Sequence, residues 1–99
     1  MATFQDIIKG EIPVLVDFFA DWCSPCHSMT PIIKEIKSNY GDKIKIIKID
    51  IEKNPLVANK YQVKGVPTFI VYKKGDIVWR QAGIIEKSNF IKQLDSIIK

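Results

Sequence analysis

Short runs of β-branched and aromatic residues alternate along this chain with segments whose apolar positions recur every three or four residues. That alternation predicts an α/β layer architecture. Phe4, Ile7 and Ile8 have helical spacing, and Gly10 with Pro13 ends that first short segment. Val14 to Phe19 reads Val-Leu-Val-Asp-Phe-Phe, apolar on both faces as in a central strand covered by helices on each side. From about Cys23 to Tyr40, Met29, Ile33, Ile36 and Tyr40 recur at helical spacing, Gly41-Asp42 supplies the stop, and Pro31 predicts a kink. Ile44 to Ile51 is strongly β-branched and reads as a second strand, so Val14 to Ile51 forms a βαβ unit with a right-handed crossover. Asn54-Pro55 looks like an N-cap followed by proline at the first helical position, opening a short helix that ends near Tyr61. After Gly65-Val66-Pro67, the runs Thr68 to Tyr72 and Ile77 to Trp79 flank Lys73-Lys74-Gly75-Asp76 as an antiparallel hairpin. Phe90, Leu94, Ile97 and Ile98 define a closing amphipathic helix.

The length of 99 residues supports a single domain over residues 1–99. Folding at that size buries roughly 60 to 70% of the unfolded surface, so the two cysteines are not needed as structural staples. No stretch approaches the ~20 apolar residues that cross a bilayer, and Met1 to Glu11 lacks the pattern of a secretory signal, which makes the cytosol the expected compartment. The net charge of +4 comes from lysines spread along the chain, with Lys73-Lys74 the longest basic run. A nucleic-acid role would want a basic stripe with interleaved stacking aromatics, so none is expected.

The chemical signal is Asp21-Trp22-Cys23-Ser24-Pro25-Cys26, just after the buried strand and at the start of a helix. Residues three apart share a helix face, so the two sulfurs can meet in a small ring. The first helical turn exposes unpaired N–H groups and carries partial positive charge, which favours a thiolate at Cys23. Cys26, one turn deeper, is placed to resolve a mixed disulfide, while the fixed φ of Pro25 holds the ring's shape. The competing readings are half a zinc site, an incidental pair and an inert structural disulfide. Zinc needs four ligands, and beyond the pair only His27 is a conventional nitrogen or sulfur candidate.

Asp17 interrupts an apolar strand and shares its face with Leu15 and Phe19. A helix over that face would desolvate the carboxyl and raise its pKa, which suits an acid/base exchanging protons with a thiol; a structural aspartate bonded to backbone is the other reading. Lys48 falls on the same strand face as Ile44 and Ile46, where it either pairs with Asp17 or snorkels to solvent. Pro67 stands at a strand's first residue, where a cis bond is possible. Trp22 reads equally as a partner-facing aromatic or as packing, and His27 as an exposed helical residue in preference to a catalytic base.

Val-Asp-Phe-Phe-Ala-Asp-Trp-Cys-Ser-Pro-Cys, Pro31, Asp50 to Pro55, Gly65 to Thr68, the Lys-Gly-Asp hairpin and Gly83 together resemble the thioredoxin family, in its order and spacing over nearly the whole chain. The resemblance implies a thioredoxin fold, a mixed sheet flanked by helices on both faces, and a protein-disulfide reductase acting through Cys23 and Cys26. It implies that Pro67 is a cis-proline facing the disulfide and that Asp17 and Lys48 are a buried pair beside the resolving cysteine. Trp22, Ser24 and Pro25 would form the active-site loop, and Trp22, Ile51, Val66, Pro67, Ala82, Gly83 and Ile84 a shallow partner groove. No bound cofactor is implied; NADPH would act indirectly through a flavin-containing thioredoxin reductase, with disulfide-containing proteins as substrates of a monomeric, cytoplasmic enzyme. Disulfide oxidase or isomerase chemistry, or a non-catalytic binding module, are the alternatives.

Several positions depart from the family pattern. Ser24 replaces the usual glycine, His27 the usual lysine or arginine, and Phe19 a common tryptophan. Ser24 makes the redox potential hard to anticipate, and a partial charge on His27 would make thiolate stability mildly pH dependent. Met1 to Thr3 is too short for the family's first strand, so four strands are expected, with Ile44 to Ile51 at an edge guarded by Lys43, Lys45 and Lys48.

Overall fold

A computed structural model describes residues 3–98. The elements run α1 (Phe4–Ile8), β1 (Val14–Phe19), α2 (Ser24–Tyr40), β2 (Lys45–Asp50), α3 (Pro55–Lys60), β3 (Thr68–Lys73), β4 (Asp76–Ala82) and α4 (Lys87–Ile98). They build one four-stranded sheet in the order β2-β1-β3-β4, parallel between β1 and β2 and antiparallel elsewhere. The four strands and the edge position of β2 match the sequence reading. Met1 and Ala2, on which part of the missing-strand expectation fell, lie outside the described residues.

β1 is central because it has no polar face to give to water. Val14, Val16 and Phe18 pack toward Ile8, Ala58 and Val63, while Leu15 points to Met29, Ile33, Ile36, Phe90 and Leu94 of α2 and α4. Helices therefore cover both faces of the sheet. On the α2/α4 side Phe90 meets Phe69 edge to face, with ring centroids 5.1 Å apart. On the other side Phe4, Tyr61 and Tyr72 form a three-ring cluster.

The ends of the elements follow local chemistry. Thr3 and Asp6 close a capping box on α1, each accepting the other's backbone N–H at 3.1 Å. α2 continues past Pro31 as one helix, although the missing N–H leaves the His27 carbonyl without its usual helical donor. Asn54 occupies the N-cap of α3, but its side chain does not cap the helix; its Nδ2 donates back to the Asp50 carbonyl at 3.1 Å. Lys74 and Gly75 both have positive φ, the pairing that closes a two-residue hairpin between twisted strands. The turn is anchored because Lys74 N donates to Gly10 O and Gly75 N to Ile8 O, at 2.9 and 3.0 Å.

Phe90 is fully buried and carries its ring from α4 into the centre of the α2/α4 core, so truncating it opens a cavity there. Phe90→Ala is expected to lower the unfolding free energy by about 3–5 kcal/mol in urea titration, and a loss below about 1 kcal/mol would contradict the packing described.

Candidate functional site

β1 delivers the chain to Ala20, and Cys23 follows after a turn in which Cys23 N donates to Ala20 O at 3.1 Å. α2 starts at Ser24, so Cys23 is not a helical residue but the N-cap. Its sulfur accepts the Cys26 N–H at 3.1 Å, as a serine or aspartate oxygen would at this position. An N-cap prefers a negatively charged acceptor, which adds a specific donor to the helix field in favour of a Cys23 thiolate. Pro25 falls in the first turn, where its lack of N–H forfeits no helical bond.

Cys23 and Cys26 are joined in a disulfide, with their Cα atoms 5.3 Å apart. Both are buried, and Ala20, Phe19, Ile51 and Val66 pack with them. Ser24, Pro25 and Trp22 are exposed around them, Trp22 at 66%. Among the described residues no group of three or more His, Cys, Asp or Glu side chains could hold a metal ion, so the half-zinc reading lacks its remaining ligands. His27 is exposed, and its Nε2 lies 2.8 Å from the Asp21 carbonyl, tying the first turns of α2 to the loop before Trp22. Because a carbonyl only accepts, Nε2 carries the hydrogen in this contact.

The residues expected to form a partner groove come from separate parts of the chain. The Val66-Pro67 bond is cis. Val66 packs against the cysteines, Pro67 O accepts Gly83 N–H at 2.8 Å, and Thr68 Oγ1 donates to Gly65 O at 2.7 Å. That places Ala82, Gly83 and the 61%-exposed Ile84 beside the Pro67 segment, at the same end of the sheet as Cys23. Two open clefts of about 520 and 450 Å³ lie elsewhere, around Arg80 and around Pro13, and neither is lined by a cysteine.

Asp17 is buried on the α2/α4 face, its Oδ1 without a hydrogen-bond partner. Burial pushes its pKa up from 3.8 to about 6, and the charge of Lys48 opposes that rise. The expected buried pair is corrected here. Lys48 stands opposite Asp17 in the β1–β2 register, yet its side chain is exposed, with Nζ 4.7 Å from the centre of the Phe19 ring. β2 is an edge strand, so a long side chain there reaches solvent at little cost, and the aromatic face offers the ammonium a resting place that keeps it hydrated. The sequence contained no sign of the Phe19 contact beyond the aromatic residue itself, and none of Cys23 acting as a cap instead of opening the helix.

A buried strand feeding a capped disulfide at a helix N-terminus, faced by a cis-proline loop, defines a dithiol-disulfide exchange protein. The thioredoxin family model matches residues 1–96. Thioredoxin Y, chloroplastic, of Oryza sativa subsp. japonica is 42% identical over 99 residues, covering 99% of this chain and 59% of the rice protein. Thioredoxin of Rickettsia bellii is 37% identical over 94 residues, covering 95% of this chain and 90% of its own length. Thioredoxin 1 of Synechococcus elongatus is 39% identical over 95 residues, covering 95% and 89%. This chain thus spans about three fifths of the rice relative but nearly all of the bacterial ones. The solved structure of a mutant thioredoxin from Halobacterium salinarum NRC-1 superposes with a TM-score of 0.86 at 28% identity, over 96% of this chain and 82% of that one. The chain belongs to the thioredoxin family, and its redox centre is its own cysteine pair, with no cofactor.

The raised Asp17 pKa fixes a pH dependence of stability. The folded pKa lies above the unfolded one, so the buried carboxyl is harmless when protonated and destabilises once ionised; stability falls as pH rises from about 4 through about 6. Asp17→Asn is expected to raise the unfolding free energy of the oxidised protein by roughly 3 kcal/mol at pH 8 and by little at pH 4. Denaturant titrations at both pH values test this, and an equal gain at each would contradict it.

Proposed function

We propose that this chain is a single-domain protein-disulfide reductase, residues 1–99, in which Cys23 attacks and Cys26 resolves. The observation that carries the reading is the Cys26 N–H held 3.1 Å from the Cys23 sulfur. In the reduced protein the Cys23 thiolate attacks one sulfur of a substrate disulfide, forming a mixed disulfide and releasing the other substrate sulfur as a thiolate. Cys26 then loses its proton and attacks Cys23, which frees the second substrate thiol and leaves the enzyme disulfide. Two electrons pass from the enzyme dithiol to the substrate.

Asp17 is the proton acceptor for Cys26 in this scheme. A carboxyl with a pKa of about 6 is largely ionised at neutral pH and still basic enough to take a proton, directly or through water. Lys48 acts from the strand edge as a through-space charge favouring the Asp17 carboxylate. Trp22, Ile51, Val66, Pro67, Ala82, Gly83 and Ile84 form the partner groove. The exposure of Trp22 and Ile84 favours a partner-facing role for them. A nearly covered disulfide under an exposed apolar rim suits protein partners better than small ligands, which favour enclosing pockets.

The enzyme works as a monomer in the cytoplasm, contributing to cell redox homeostasis, and is returned to the dithiol by a flavin-containing thioredoxin reductase drawing on NADPH. The relatives' names leave the compartment open, since the rice protein is chloroplastic. No described helix is long and apolar enough to cross a membrane.

Insulin reduction by dithiothreitol-fed protein is expected for the wild type and to be lost in Cys23→Ser, while Cys26→Ser accumulates a covalent mixed disulfide visible by non-reducing electrophoresis. A redox titration should place the Cys23-Cys26 couple near the roughly −270 mV of reducing thioredoxins; a value near the roughly −120 to −180 mV of dedicated oxidants and isomerases would overturn the direction proposed.

A further inference from the structure

α3 ends in a helix-terminating turn that normally calls for glycine. Val63 N donates to Ala58 O at 2.9 Å and Gln62 N to Asn59 O at 3.1 Å, the paired bonds of a Schellman cap, and Val63 packs into the same apolar cluster as Ala58. The left-handed position of that cap is Gln62, with φ +55°. A side chain is strained there, so the turn is held less firmly by its own backbone than a glycine cap would be. It leads within five residues to the cis Val66-Pro67 bond.

A second element supplies what the turn lacks. Arg80 on β4 reaches across so that Nη1 donates to Tyr61 O and Nη2 to Gln62 O, the latter at 2.8 Å. These carbonyls take no part in the two cap bonds, and a planar guanidinium serves both at once. Two residues beyond Arg80, β4 passes into Ala82 and Gly83, where Gly83 N bonds Pro67 O. The Tyr61–Pro67 segment is thus fastened to β4 at both ends, by the guanidinium at its start and the backbone bond at its close.

We propose that Arg80 is a positioning residue that holds the α3–β3 loop, and with it the Val66-Pro67 docking wall, in register with the Ala82–Ile84 segment. It touches neither sulfur and does not act on the chemical step. Its effect falls on partners that need both walls aligned, which are proteins presenting an extended segment, and spares small disulfides that need only Cys23. The inference rests on the groove assigned above.

The test compares wild type, Arg80→Ala, Arg80→Lys and the double variant Arg80→Ala with Gln62→Gly. For insulin, Arg80→Ala is expected to raise KM by about threefold or more with kcat within about twofold, while its rate with 5,5′-dithiobis(2-nitrobenzoic acid) stays within about twofold. Arg80→Lys, a single ammonium, should fall between; glycine at position 62 should restore KM by letting the turn hold itself. An unchanged insulin KM in Arg80→Ala, or an equal loss with the small disulfide, overturns the proposal. Amide hydrogen exchange at Gln62, Val63 and Gly83, whose N–H groups bond Asn59 O, Ala58 O and Pro67 O, gives a readout independent of any partner: it should quicken by about threefold or more in Arg80→Ala while β1 amides do not change, and no quickening overturns the proposal even if activity falls. Failure of the wild type to reduce insulin, with that exchange response intact, would instead count against the reductase reading alone.

Discussion

Everything at the redox end of this protein depends on β1 having both faces buried. A strand clamped between two helix layers cannot twist out or slip register without exposing Val14, Leu15, Val16 and Phe18 together. Its C-terminal end is consequently a fixed point, and Cys23 is delivered four residues past it as the N-cap of α2. The same clamping makes Asp17 unusual. A carboxyl in that strand has nowhere to go but the covered face, and its Oδ1 finds no donor there. The core that positions Cys23 is therefore also what raises the pKa of Asp17.

The sulfur chemistry and the backbone chemistry are one arrangement. The N–H that the helix start leaves unpaired is the one the Cys23 sulfur accepts, so the cap is strongest when that sulfur is anionic. Around it the contacts are apolar, from Phe19, Ala20, Ile51 and Val66, with Trp22 and Ile84 left facing water. Under the function proposed above, a reactive pair kept nearly covered would admit to Cys23 only a partner that fits this rim.

Much of this was legible from residue pattern because the signals were local or doubled. Val14 to Phe19 announces a two-sided strand by having no alternation, and Lys73-Lys74-Gly75-Asp76 announces a hairpin, which the structure narrows to a Lys74-Gly75 turn with positive φ at both residues. Cys-Ser-Pro-Cys after such a strand carried the chemistry. What escaped reading depended on contacts between distant segments. Lys48 has the strand phase of a buried residue, and only the edge position of β2 and the ring of Phe19 decide that it lies outside. Asn54 has the identity of a helix cap, but the Asp50 carbonyl lies closer to hand. Arg80 looked like any alternating surface charge, because the carbonyls it holds lie 18 and 19 residues away in sequence.

The hairpin turn at Lys74-Gly75 is bonded to Ile8 at the end of α1 and to Gly10 just beyond it, at the opposite end of the strands from Cys23. Six-residue strands separate the two ends by about 20 Å. The molecule is accordingly divided along its strands into a fastening pole and a reacting pole. A substitution at the fastening pole acts on how firmly the fold is closed and lies about 20 Å from the cysteine pair, so durability and sulfur chemistry are addressed by separate residues.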